Sequence, residues 1–473
     1  MGVTEIPLSA VRDGVPRGGR AQPGSRRLLF VAVLLWLAMT PPLMLFYASI
    51  PPNPDQALFD YIGWISWQGG SYYSDAFEIN WPAVFFVHEL GQRLFGAVPL
   101  AVWVFDYLIL LAVCAGAAWF LVQAGFARAA VLFALIYPPL YVTAGGWMSG
   151  QRDIMVGGLA FVVLALALPR GRADAVALLA AGALIGVIVL MRPTWLALLG
   201  LVGAVEALGP ARPGLRRLPA IAVLVSGAVL AVGIAVGLGA ASGTLRDWWE
   251  QAVLFVLLEY RGTDPRIALL ENLLEVFTQW WHWITALGVL GMMAWAALWA
   301  EMGATSRRAL LLSLGVLGIV LLSYAVMNKG FRYHLGGALP VLVVWMSVFL
   351  DRVWVAAEGR GRWLLPARAV LATSTVLIVT GIGSKFGGFA VRSMDGHAMA
   401  AQSPEEGIYL RMNQDARMAL VEWIREQTAE DDRIFQWGWN YQIVQLAERL
   451  VRLKFQVQHH TGYRRAEPAH ALF

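Results

Sequence analysis

Four short segments gather the residue types that could move a proton or hold an anion. The first runs Pro54-Asp55-Gln56-Ala57-Leu58-Phe59-Asp60-Tyr61 and continues through Gly69-Gly70-Ser71-Tyr72-Tyr73-Ser74-Asp75-Ala76-Phe77-Glu78 to Trp81-Pro82. A carboxylate partly withdrawn from water and held near a hydroxyl can serve as a general base. Asp55 is the candidate, because a Pro-rich lead (Pro51, Pro52, Pro54) restricts the backbone before it. The same position also suits a plain N-cap for a helix over 56–67. Asp60, five residues on, would lie about 140° around a helix that starts at Asp55, so the two do not share a face. The second segment, Gly150-Gln151-Arg152-Asp153, sets a cation beside a carboxylate. It reads either as a helix start with a local ion pair, or as an arginine offered to a phosphate while Asp153 orients it or ligates a metal. Arg192, just before Pro193, is the third; a long side chain snorkelling from a helix end is the plain alternative. The fourth, Asn328-Lys329-Gly330-Phe331-Arg332-Tyr333-His334, packs two cations, aromatics and an imidazole into one boundary. Arg152, Arg192, Lys329 and Arg332 together are expected to clamp a phosphodiester at headgroup depth.

The elements that must position these groups are membrane helices. Of 473 residues, 58% are hydrophobic and only 14% charged, with a mean hydropathy of +0.61, whereas soluble domains carry about 25% charged residues. Apolar runs fall at 28–50, 99–122, 128–144, 153–168, 174–191, 193–208, 218–240, 280–300, 309–327, 335–350 and 364–383. Many approach the ~20 residues that cross a hydrocarbon core; 174–208 also reads as one bent hairpin. The expected fold is mainly α, a polytopic bundle of about eleven spans. The first run is too long for a signal-peptide core and is read as a retained span. The lone cysteine, Cys114, lies inside an apolar run and offers no disulfide framework, zinc site or nucleophile.

Arginines alternate along the chain. Arg12, Arg17, Arg20, Arg26 and Arg27, then Arg128, Arg170 and Arg172, Arg212, Arg216 and Arg217, Arg307 and Arg308, and Arg352, Arg360, Arg362 and Arg368 occupy short connectors. By the positive-inside rule these connectors are cytoplasmic. The net charge of +5 therefore reports membrane sidedness, and nucleic-acid binding is not expected. Residues 1–27 form a cytoplasmic N-terminal segment and 28–383 the transmembrane domain, with a first outer loop at 51–98. That loop holds helical stretches at 55–67 and 82–95, rich in Trp, Phe and Tyr and suited to the headgroup level. Residues 384–473 read as a small extracytoplasmic α/β domain: helix at 415–428, strand at 433–437, turn at 438–440, helix at 441–452. All four chemical segments fall on the outer side.

In order and sidedness these segments resemble the GT-C superfamily of polytopic glycosyltransferases. The likeness is strongest to family 39-type enzymes, which include protein O-mannosyltransferases and the aminoarabinose transferases that modify lipid A. Asp55, the helix through Trp67, "GGSYYSDAFE" with Glu78, and Pro82 reproduce the family's first outer loop. Arg152-Asp153 matches its second-loop acidic element, and Lys329-Gly-Phe-Arg332-Tyr333-His334 with Pro340 resembles its element before a late span. "RIFQWGWNYQIVQLAER" is similar to a strand–turn–helix in the tails of bacterial members. The resemblance implies an integral protein of the bacterial inner membrane that takes sugar from a polyprenyl-phosphate donor. The acceptor is a hydroxyl on a glycan, lipid or protein. It implies Asp55, Glu78 and Asp153 as catalytic or supporting acids, with an optional divalent metal. Asp60, Tyr73, Arg152, Arg192, Lys329, Arg332, Tyr333 and His334 become its substrate-binding candidates. Two rival classes stand beside it. A transporter or flippase would line a path with mid-span ionisable groups, for which Asp106 is the main candidate. A ligase or acyltransferase is the other; an acyltransferase would centre on a histidine such as His88 or His334.

Overall fold

The computed structural model describes residues 23–48, 53–96, 99–144, 148–168, 174–208, 215–260, 269–358, 364–394, 414–429, 432–434, 443, 445 and 447–451. The arginines before residue 23, Pro51, Pro52 and the turn read at 438–440 lie outside them. At membrane depth every backbone N–H and C=O must find a partner within its own segment, so the apolar runs are helical. Helix α1 (Pro23–Ala48) leads into a loop carrying α2 (Pro54–Trp67) and α3 (Pro82–Phe95). Next come α4 (Pro99–Gln123), α5 (Ala127–Val142), α6 (Arg152–Ala167), α7 (Asp174–Met191), α8 (Leu196–Leu208) and α9 (Arg217–Ala241). A second long connection holds a π-helical segment, Trp249–Tyr260, and α10 (Leu269–Glu275). The remainder is α11 (His282–Ala297), α12 (Ala304–Met327), α13 (Ala338–Glu358), α14 (Leu364–Met394) and α15 (Gln414–Gln427).

Each apolar run falls on one of these helices. Six are long and apolar enough to cross a bilayer, within α4, α7, α9, α12, α13 and α14. The 174–208 stretch is two helices, because Pro193 has no N–H to continue α7 and opens a short 3-10 turn, Pro193–Trp195. Helix α13 lies deep in the bundle, its apolar window 72% buried, whereas α14 is 11% buried and forms an outer face. In the C-terminal part, Val421, Ile424, Ile443 and Ala447 make a small cluster. Arg433–Ile434 pairs in parallel with Leu450–Val451. This corrects the helix expected over 441–452: Glu448 takes a positive φ of 56° and ends the turn, after which the chain extends.

With lipid outside, helix association rests on close packing rather than on exclusion of water, and small residues permit the closest approach. A Cβ on Gly182 of α7 would stand 1.9 Å from the Leu224 carbonyl oxygen of α9, and one on Gly227 of α9 would stand 2.2 Å from that of Leu179. A Cβ on Gly200, on α8, meets nothing within 4 Å. Gly182→Ala should therefore lower the melting temperature of the detergent-solubilised protein, overpacking of this kind costing about 1–3 kcal/mol. Gly200→Ala should leave it unchanged. Equal melting of the two variants would show that the α7–α9 crossing does not depend on the missing methyl.

Candidate active site

Helix α2 begins with a reciprocal cap. Asn53 Oδ1 accepts the Gln56 N–H at 2.9 Å, and Gln56 Oε1 accepts the Asn53 N–H at 2.9 Å. Asp55 is thus relieved of the capping role that its position also suited. It is half-buried, and its Oδ2 accepts from the Tyr333 hydroxyl at 3.1 Å and from Gln151 Nε2 at 3.5 Å. Burial raises its pKa above the usual carboxylate range, against the pull of the Arg152 charge and these two donors.

The same cap holds the Ser149–Gln151 turn against α2. Gln56 Nε2 donates to the Ser149 carbonyl at 2.5 Å, and Gln151 Nε2 donates to Asn53 Oδ1 at 3.1 Å. Gly150 turns the chain with φ +71°, and a Cβ there would meet Gln56 Nε2 and Trp103 at 2.8 Å. Its N–H donates to the Tyr141 hydroxyl at 3.2 Å, which donates in turn to Asp106 Oδ1 at 2.7 Å. Tyr47 also donates to Asp106. The mid-span carboxylate is fully buried and held by two tyrosines, an arrangement that braces the site rather than lining a path.

The turn delivers Arg152 and Asp153 at the start of α6. Asp153 Oδ1 pairs with Arg192 Nη2 at 2.9 Å, and its Oδ2 lies 3.2 Å from His334 Nδ1 and 3.7 Å from Arg152 Nε. Arg192 Nη2 also donates to His334 Nδ1 at 2.8 Å. Burial lowers the His334 pKa to about 4, so the ring is a neutral acceptor near neutral pH. Backbone proximity makes this possible: a Cβ on Gly157 would fall 2.4 Å from Gly337 Cα. Arg192 is committed to Asp153. Arg152, buried and 5.8 Å over the Phe59 ring, makes no hydrogen bond among the described residues, its Nε included. It interacts electrostatically with both Asp55 and Glu78.

Glu78 completes the group. Its Oε1 accepts from Ile79 N–H at 2.8 Å, Asn80 N–H at 3.1 Å and Asn80 Nδ2 at 2.7 Å, whereas Oε2 is buried without a partner among the described residues. Burial, with the nearby Asp55 charge adding, raises its pKa to about 7.

Four sequence candidates are spent elsewhere. Asp60 accepts from Gln92 Nε2 at 3.1 Å and lies 2.9 Å from His88 Nδ1, tying α2 to α3. Tyr73, at φ +27°, donates to the Asn80 carbonyl at 2.6 Å. Lys329 Nζ donates to the Tyr260 carbonyl at 3.0 Å and sits 3.7 Å from that ring. Arg332 pairs with Glu275 at 2.7 Å. The clamp expected of four cations thus resolves into Arg152 and Arg192 beside Asp55, with Lys329 and Arg332 holding the second long connection. A divalent metal does not fit this donor set. Among the described residues no three His, Cys, Asp or Glu side chains gather in a ligating group, and both Asp153 oxygens face Arg192 and His334. Sequence reasoning missed Asn53, Gln56, Gln151 and Gln251. The Asn-x-x-Gln spacing of the cap was readable; nothing marked Gln251.

Glu78 yields a stability test. Its folded pKa lies above its unfolded value, so its protonated form is favoured by folding. Stability therefore falls as pH rises from about 4.5 through about 7. Glu78→Gln, neutral throughout, should melt above the wild type at about pH 8 and converge with it near pH 5. A difference that is the same at both pH values would contradict this burial of the carboxyl.

No protein-family model matches the chain, and no curated protein matches it in sequence. Solved structures do. ArnT from Cupriavidus metallidurans bound to undecaprenyl phosphate matches over 92% of this chain and 88% of its own, at 16% identity and a TM-score of 0.57. The apo state of that protein matches with a TM-score of 0.55 at 16% identity, over the same shares of the two chains. The Archaeoglobus fulgidus oligosaccharyltransferase tethered with an acceptor peptide matches over 88% of this chain at 13% identity and a TM-score of 0.50. This chain spans only 63% of that longer protein. The match runs over most of this chain and shows that it shares its fold with these two membrane proteins.

Proposed function

We propose that the protein is an inverting glycosyltransferase that moves a sugar from a polyprenyl-phosphate donor to an acceptor hydroxyl on the outer face of the membrane. One observation carries the reading: Asp55, free of the helix cap, receives the Tyr333 hydroxyl while a buried guanidinium with no hydrogen bond, Arg152, stands beside it. The ArnT structure of the same fold is bound to undecaprenyl phosphate, which supports a lipid-phosphate donor.

In the reaction the acceptor oxygen attacks the anomeric carbon and its proton passes to an Asp55 oxygen. The bond from that carbon to the phosphate oxygen breaks, and the lipid phosphate leaves with the electron pair. Attack from the face opposite the leaving group inverts the centre. Charge develops on the phosphate as it departs, so Arg152 acts mainly on the transition state. Arg192 neutralises Asp153 and keeps Arg152 from being consumed by it. Asp153 is then a supporting acid that orients the two arginines, and Tyr333 fixes the Asp55 carboxylate. The acceptor is a glycan, lipid or protein hydroxyl.

The placement that goes with this reading is an integral protein of the bacterial inner membrane. Its N-terminus is cytoplasmic, and eleven crossings take the 384–473 domain outside. A reporter fused after Phe473 should report the non-cytoplasmic side and one inserted at 209–217 the cytoplasm. A cytoplasmic C-terminus would remove Asp55 and Arg152 from the proposed face.

Asp55→Asn keeps shape and hydrogen bonding but not basicity. In an assay of sugar transfer from polyprenyl-phosphate donors it should lower kcat by about 10²-fold or more with donor binding retained. Arg152→Gln should lower kcat/KM by about 10²-fold. Near-normal turnover by a folded Asp55→Asn protein would end the assignment of the base.

A further inference from the structure

We propose that Gln251 is a positioning residue of this site, fixing the backbone on both sides of the Tyr73–Glu78 stretch and thereby the direction of the free Glu78 oxygen. Its amide is buried at the start of the π-helical segment. Gln251 Oε1 accepts the Glu78 N–H at 3.0 Å, and Gln251 Nε2 donates to the Tyr73 carbonyl at 2.8 Å. One planar group thus closes a bridge across five peptide bonds of an irregular loop. Without it a buried N–H and a buried C=O would lose their partners, each at a cost of about 1–3 kcal/mol.

The chemistry selects an amide. Only a group that accepts and donates at once can bridge an N–H and a C=O, and it must do so uncharged. A carboxylate here would repel Glu78, and an ammonium would pair with Glu78 and occupy the oxygen that is left open. Asn has the same group on a side chain one methylene shorter. The neighbouring rings hold the bridge in place: Trp248 stacks on Tyr73 at 6.4 Å and meets Trp81 edge-on at 5.4 Å.

The far end of the same segment reaches the other half of the site. Tyr260 takes Lys329 on its carbonyl and its ring, four residues before Tyr333, the hydrogen-bond donor to Asp55. The π-helical segment is therefore a brace with Glu78 at one end and the Lys329–His334 stretch at the other, and Gln251 is its attachment to Glu78. Its catalytic consequence rests on the glycosyltransferase reading; the positioning itself does not.

The test uses the full chain in detergent with two readouts. Infrared spectra titrated with pH should show a protonated-carboxyl band that disappears with a midpoint of about 7 and is missing from Glu78→Gln. In Gln251→Met, which keeps volume and loses both hydrogen bonds, the loop should admit water and the midpoint should fall by about one unit or more toward the ordinary carboxylate value. Gln251→Glu keeps only the acceptor and serves if the Met variant does not fold; its added charge should move the midpoint upward. Ser74→Ala is the control. It removes the 2.6 Å contact from Ser74 Oγ to Asp247, in the helical turn Leu245–Trp248 just before the π-helical segment, and should leave the midpoint in place.

In the transfer assay Gln251→Met should lose about 10-fold or more in kcat with donor KM changed less than about 3-fold. A wild-type midpoint in Gln251→Met, an equal shift in Ser74→Ala, or no band that Glu78→Gln removes would each overturn the proposal. A shifted midpoint in a protein that transfers no sugar from any polyprenyl phosphate would sustain the positioning and reject the glycosyltransferase reading.

Discussion

The site depends on the neutralisation of Asp153. An ionised carboxylate 3% exposed at the end of a membrane helix is costly unless paired, by several kcal/mol even after relaxation. Arg192 supplies the partner at 2.9 Å and His334 stands at 3.2 Å. Three elements distant in sequence are drawn together at that point: the start of α6, the break after α7 and the turn before α13. The pairing residue sits at the Pro193 break, where Arg192 takes an extended backbone (φ −149°, ψ 95°), as expected of a residue before proline. With Arg192 the nearer partner of Asp153, Arg152 stands off at 3.7 Å and interacts with Asp55 and Glu78 as well.

That division of labour gives the cluster its electrostatic character. Asp55 and Glu78 are both raised by burial, Asp55 while accepting from two neutral donors and Glu78 with one oxygen unbound. Two carboxyls of like charge near the one Arg152 guanidinium are pushed apart in their titration. Asp55, half-buried and hydrogen-bonded, is the base of the proposed reaction. Glu78, its pKa raised to about 7, is present in both protonated and ionised forms near neutral pH, so it can donate to a hydroxyl or accept from one.

Much of the helix placement was legible in the sequence, because membrane helices announce themselves by length, although Arg128, Arg307, Arg308, Arg352 and Arg368, read as connector residues, lie within helices. Asp55, Glu78, Arg152, Asp153, Arg192, Tyr333 and His334 do converge. What was not legible is which of the polar residues would be spent internally. Lys329 and Arg332 look like anion binders until Tyr260 and Glu275, 69 and 57 residues earlier, are seen beneath them. Asp60 looks like a substrate group until His88 is found one helix away. Such partners are set by how loops fold over the bundle, and no local spacing encodes that. The amides Gln151 and Gln251 are similarly silent: a neutral side chain carries no charge or periodic signal, although each joins segments that hold the site.

The seam between α2 and the Ser149–Gln151 turn is made chiefly of neutral groups, Asn53, Gln56, Gln151 and backbone, with Asp55 reached only by the longer 3.5 Å bond from Gln151 Nε2. Neutral hydrogen bonds neither titrate nor attract counterions. The seam should therefore keep its geometry across changes of acidity and ionic strength that alter the ion pairs around it. The charged groups of the cluster respond to their medium while the frame that spaces them does not.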